Sequence, residues 1–164
     1  MWLMRGGNMA WQAAQPDWAI YLALILITSP LQAAAEEFFF RGYLQQAIGS
    51  LAGRAWVGVA CSALVFAIFH GDQNVALFTH RLGFGLIAGT LVWATGGLEA
   101  AIAVHVANNV FAFGYALFTG GVATLKATSA ISWEAACSDL ASFAVFGALA
   151  WWIGRRMHVA TLTP

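Results

Sequence analysis

Two adjacent carboxylates and a guanidinium stand in the run Glu36-Glu37-Phe38-Phe39-Phe40-Arg41, and the stretch before it, Ile20 to Ala35, is apolar apart from Thr28, Ser29 and Gln32. Charged side chains at bilayer depth cost about 2.5–3.5 kcal/mol each on insertion scales, so they rarely sit there without a partner or a task. On a helix Glu37 and Arg41 are one turn apart on one face and can pair. Glu36 points about 100° away and is not answered by Arg41 as directly. Further polar groups interrupt later apolar runs: His70, then His105 and Asn109 at i,i+4 spacing. A carboxylate, two imidazoles and a carboxamide are the parts needed to hydrolyse an amide. The carboxylate takes a proton from water with an imidazole beside it, and the remaining groups donate hydrogen bonds to the developing oxyanion. No serine or cysteine stands beside a histidine at a clear spacing, so a covalent nucleophile is not favoured. HExxH, the helical zinc-protease signature, is absent.

For these groups to act together, the elements that carry them must bring them to one depth. A turn at Gly49-Ser50 and Gly53-Arg54 folds the first two apolar segments into an antiparallel hairpin. Glu36 precedes that turn by about as much as His70 follows it, which places both about 20–25 Å away along helices. Counted from Gly96-Gly97 on the same side, Asn109 lies about 18 Å into its own helix, and His105 a turn nearer the start. The spacing therefore predicts that Glu36, His70, His105 and Asn109 converge on one polar cavity. The competing reading is a buried Glu37–Arg41 staple, with each histidine a hydrogen-bonded packing residue.

The composition sets the class. Of the 164 residues, 61% are hydrophobic and 9% charged, against about 45–50% and 25% in soluble domains. A polytopic membrane protein is expected, all-α, a transmembrane helical bundle of about five segments. Formal net charge is zero and no basic block exists, which argues against nucleic acid as a partner. Cys61 and Cys137 have no metal-ligand spacing and read as packing residues.

Taken in order, residues 1–16 form an N-terminal segment with Trp2 and Trp11 that suits the membrane interface. Apolar segments follow at about 18–48, 56–70, 75–95, 98–118 and 137–153, and residues 158–164 form a tail. The first is longer than a bilayer needs and should bend near Pro30. The third carries His80 and Arg81 near its start and Gly85-x-x-x-Gly89 in its middle, small residues that let helices approach closely. If every segment crosses, the Arg54 turn, the Gly96-Gly97 turn and Arg155-Arg156 share one side, which basic-residue bias makes cytoplasmic.

Three motifs in order, Glu36-Glu37-x-x-x-Arg41, Phe66-x-x-x-His70 and His105-x-x-x-Asn109, resemble the set of the CPBP family, the CAAX-protease and bacteriocin-processing (Abi) proteins that include the Ras-converting endopeptidases. Phe40-Arg41-Gly42-Tyr43-Leu44-Gln45 and Phe69-His70-Gly71 fit as well, so the resemblance covers Glu36 to Asn109, a motif core inside a domain at 17–157. It implies a glutamate-dependent intramembrane endopeptidase with no required cofactor or metal, acting on membrane-associated or CAAX-like substrates. Carried over, Glu36 resembles the base with His70 beside it, His105 and Asn109 the oxyanion donors, and Glu37 and Arg41 the supporting pair. Many members have more membrane helices before the first motif, so the chain is either a minimal member or forms a homo-oligomer. The expected setting is multi-pass in a bacterial-type plasma membrane, with lipid and a peptide as partners. The alternatives are a non-proteolytic scaffold or immunity-type protein of the same fold, a variant with zinc on Glu36, His70 and His105, and a proton relay.

Overall fold

The computed structural model describes residues 17–119 and 121–157. The expected interfacial segment 1–16 and the tail 158–164 lie outside them. Among the described residues the structure is helical, without strands. The long first segment is α1 (Trp18–Glu37), a π-helical stretch at Phe38–Leu44 and α2 (Gln45–Ala52). After it come α3 (Ala55–Ile68), α4 (Val75–Thr95), α5 (Glu99–Thr119), the short α6 (Val122–Lys126) and α7 (Trp133–Arg156). Among the described residues four stretches are long and apolar enough to cross a membrane: Trp18–Ala52, Val75–Thr95, Glu99–Thr119 and Trp133–Arg156. Their outer faces carry large exposed apolar side chains such as Ile20, Ile27, Leu31, Trp93, Phe111 and Phe146, which only a bilayer would solvate favourably. This is a multi-pass membrane protein.

The fifth expected segment differs. α3 has 14 residues and rises about 21 Å, short of the roughly 30 Å hydrocarbon thickness. It stops before His70, and residues 69–74 continue as a turn. The turn precedes the first residue of α4, and His70 on it lines the cleft described below.

The long first helix changes its hydrogen-bonding pattern past Pro30. α1 runs through Pro30, and the wider hydrogen bonding begins at Phe38. The Phe40 carbonyl there accepts from the Gln45 N–H five residues on and from Ser62 Oγ at 2.6 Å. The hydroxyl of α3 thus fixes the wide turn from outside. Such turns recur at functional sites, and this one begins directly after the glutamate pair.

Close helix crossings hold the frame. Gly53 ends α2 in the left-handed region (φ 64°), and Gly96 ends α4 likewise (φ 74°), the usual glycine stop. The Gly85-x-x-x-Gly89 pair is used inside the chain. A Cβ at Gly85 would stand 2.9 Å from Ala63 Cα on α3, and one at Gly89 would stand 2.7 Å from Gln45 Oε1. The tightest crossing is α2 on α3, where a Cβ at Gly58 would collide with the Gln45 carbonyl. Gly58→Val is therefore expected to destabilise by at least the overpacking cost of about 1–3 kcal/mol. Gly114→Ala, which meets open space, should melt no lower than the wild type. Melting temperatures in detergent check both.

The apolar core, Phe40, Phe66, Phe84, Ala88, Val92, Ala101 and Phe143, joins the π-helical stretch to α3, α4, α5 and α7. It lies against the polar groups described next.

Candidate active site

Glu36 and Glu37 end α1, and their environments diverge. Glu37 is fully buried. Its Oε1 accepts from Arg41 Nη1 at 2.9 Å and from His105 Nδ1 at 2.7 Å. Arg41 is equally buried, its guanidinium carbon 4.6 Å from the Phe66 ring centroid and 5.7 Å from that of Phe84. Cation–π contact supplies part of what water would otherwise give that charge. Glu36 keeps 25% of its side chain exposed and points into an open cleft.

The hydrogen bonds fix the ring protons. An ionised carboxylate only accepts, so His105 carries hydrogen on Nδ1. Its Nε2 then faces Glu36, 3.7 Å from Oε2. His70 Nδ1 lies 2.6 Å from the Phe66 carbonyl, also an acceptor only, so His70 is protonated there as well. Asn108 Nδ2 donates to Asn109 Oδ1 at 3.2 Å, leaving the Asn109 amide hydrogens for another acceptor.

Glu36, His70, His105 and Asn109 all line one cavity of about 350 Å³. Three details differ from the sequence expectation. Gln32, one turn before Glu36 and given no part in the sequence reading, donates to the Glu36 Oε1 at 2.9 Å. Glu37 does more than neutralise Arg41, because the same oxygen anchors His105. And His105, placed a turn from Glu36 by residue counting, is the group that meets both carboxylates. Counting at 1.5 Å per residue takes 38–44 as regular α-helix, whereas this stretch is π-helical.

Other cleft residues had no role assigned from sequence: Gln32, Asn108, Arg81, Lys126 and the facing pair His80–Asp139, with Nε2 and Oδ2 3.4 Å apart across α4 and α7. Asp139 could have been found by the reasoning that singled out Glu36, because it too is a charge inside an apolar segment. Among the described residues no set of three His, Cys, Asp or Glu side chains is grouped to hold a metal ion, including the Glu36, His70 and His105 set of the zinc alternative.

The connection from α5 to α7 covers the cleft with Leu125, Lys126, Thr128 and Ile131. Asn74 latches it. Its backbone N–H donates to the Ser129 carbonyl at 2.7 Å, its Nδ2 donates to the Ile131 carbonyl at 2.9 Å, and its Oδ1 caps α4 at the Leu77 N–H. Asn74→Ala should cost about 1 kcal/mol, as cap losses do. It should also raise hydrogen–deuterium exchange over 128–133 while the core helices stay protected.

Residues 17–111 match the family described as type II CAAX prenyl endopeptidase Rce1-like. The match contains all three motifs. Over 100 residues, 57% of the chain, the sequence is 34% identical to "Uncharacterized protein YyaK" of Bacillus subtilis (strain 168), and it spans 33% of that protein's length. No solved structure matches.

Proposed function

The chain belongs to the type II CAAX prenyl endopeptidase Rce1-like family, and from that premise we propose that it is an intramembrane endopeptidase using water activated by Glu36. A water between Glu36 and His70 gives a proton to Glu36 as its oxygen attacks the scissile carbonyl carbon. The oxyanion accepts hydrogen bonds from Asn109 Nδ2 and, when the ring is cationic, from His105 Nε2. The C–N bond then breaks, and Glu36 returns the proton to the departing amine. Glu37 and Arg41 hold His105 from behind. The substrate is a membrane-associated or CAAX-like peptide, and the setting is a bacterial-type plasma membrane. Residues 17–157 form the peptidase unit, in a monomer or a homo-oligomer.

The observation that carries this reading is the gathering of Glu36, His70, His105 and Asn109 around one cleft inside a bundle of membrane helices. Incubating the purified chain in liposomes with prenylated and unprenylated CAAX-type peptides, with mass spectrometry of the products, tests it. A single internal cleavage that survives chelators is expected. Intact peptide throughout, from folded protein, would overturn the reading.

A further inference from the structure

We propose that Arg81, acting with Gln73, is a positioning residue for His70, holding the turn after α3 so that the imidazole presents its Nε2 lone pair to the cleft. The inference rests on the peptidase reading for its consequence in catalysis, though its geometry does not depend on it. α3 stops at Ile68, and the backbone bonds that follow are turn-like, His70 N–H to the Ala67 carbonyl and Gly71 N–H to that of Ile68, both at 3.4 Å. Side chains add shorter bonds. Gln73 Nε2 donates to the Ala67 carbonyl at 2.7 Å, and His70 Nδ1 donates to the Phe66 carbonyl at 2.6 Å. Arg81 Nη1, reaching back from α4, donates to the His70 carbonyl at 3.1 Å and to Gln73 Oε1 at 2.8 Å.

The sense of every bond in this chain is fixed by chemistry. A guanidinium only donates and a backbone carbonyl only accepts. Gln73 must therefore turn its oxygen to Arg81 and its amide hydrogens to Ala67, and His70 must carry its proton on Nδ1. The Phe66 and His70 rings, 4.4 Å between centroids, leave the imidazole little freedom to turn over. A neutral His70 is left with one free ring position, Nε2, which can only accept. That is the role required of a group beside the attacking water. No carboxylate among the described residues pairs with Arg81, so its bonds to this turn are its principal polar contacts.

The test uses the full chain, labelled with ¹⁵N-histidine, in detergent micelles. Imidazole nitrogen shifts report each tautomer, with His70→Gln to assign the signal. Wild type should show His70 as a single Nδ1–H tautomer. Arg81→Gln and Gln73→Ala should each give a mixed tautomer, with kcat lowered by about 10²-fold, the usual effect of a misplaced group, and KM little changed. Arg81→Lys should restore part of both. Gln73 sits on a partly exposed turn, so its variant keeps the test decisive if Arg81→Gln fails to fold. An unchanged His70 tautomer in the folded variants overturns the positioning role, whatever happens to cleavage. A wild type that cleaves nothing but shows the tautomer change in the variants overturns the peptidase reading and leaves the positioning intact.

Discussion

Glu36→Ala is expected to lower peptide cleavage by about 10²–10⁴-fold, the weight of a general base, while the protein stays folded. Glu36 is partly exposed, and its bonds are one contact to Gln32 and a longer approach to His105. Removing it leaves no buried charge unpaired. Stability should move by no more than about 0.5 kcal/mol, as for substitutions away from packed or networked positions. Melting temperature and cleavage rate, measured on the same preparation, separate the two effects. Full cleavage by Glu36→Ala, or loss of the fold, would show that the base lies elsewhere.

Glu37→Ala should do the opposite first. It leaves the Arg41 guanidinium buried without its carboxylate, and breaking one side of a buried pair costs about 3–5 kcal/mol. Low folded yield and a depressed melting temperature are expected. Glu37→Ala with Arg41→Met removes both charges and should regain much of that stability. Cleavage should remain low in the double variant, because His105 Nδ1 has still lost its acceptor. Recovery of cleavage along with stability would reduce Glu37 to a partner of Arg41 alone.

These two carboxylates also show how far the sequence could be read. Their charge inside an apolar run marks the candidate site, and i,i+4 spacing gives the Glu37–Arg41 pair, because both signals are local. Counting along the helices from the Arg54 turn brings His70, and from Gly96-Gly97 His105, toward the depth of Glu36, because helical rise is regular enough to add up. What escaped is what depends on contacts between distant elements or on departures from regular rise. The wide turn at Phe38–Leu44 is stabilised by Ser62 from α3, and nothing in Phe38-Phe39-Phe40 announces it. The second bond to Glu37 required knowing how α5 lies against α1. The early end of α3, with its rebuilt turn, was hidden because Phe69 and His70 continue the apolar pattern well enough to pass for helix. His80 and Asp139 lie 59 positions apart in the chain, and only the packing of α4 on α7 makes them a pair.

The central claim is that a scissile peptide bond lies between Glu36 and Asn109. A structure of the Glu36→Gln chain with a substrate peptide bound tests it most directly. The claim predicts the scissile carbonyl carbon within about 3.5 Å of a water held at position 36, the spacing of a near-attack geometry. It also predicts the carbonyl oxygen within about 2.7–3.1 Å of Asn109 Nδ2. A peptide seated instead in the apolar groove between α4 and α7, lined by Ile87, Leu91 and Gly147, with no carbonyl near Glu36, would contradict it.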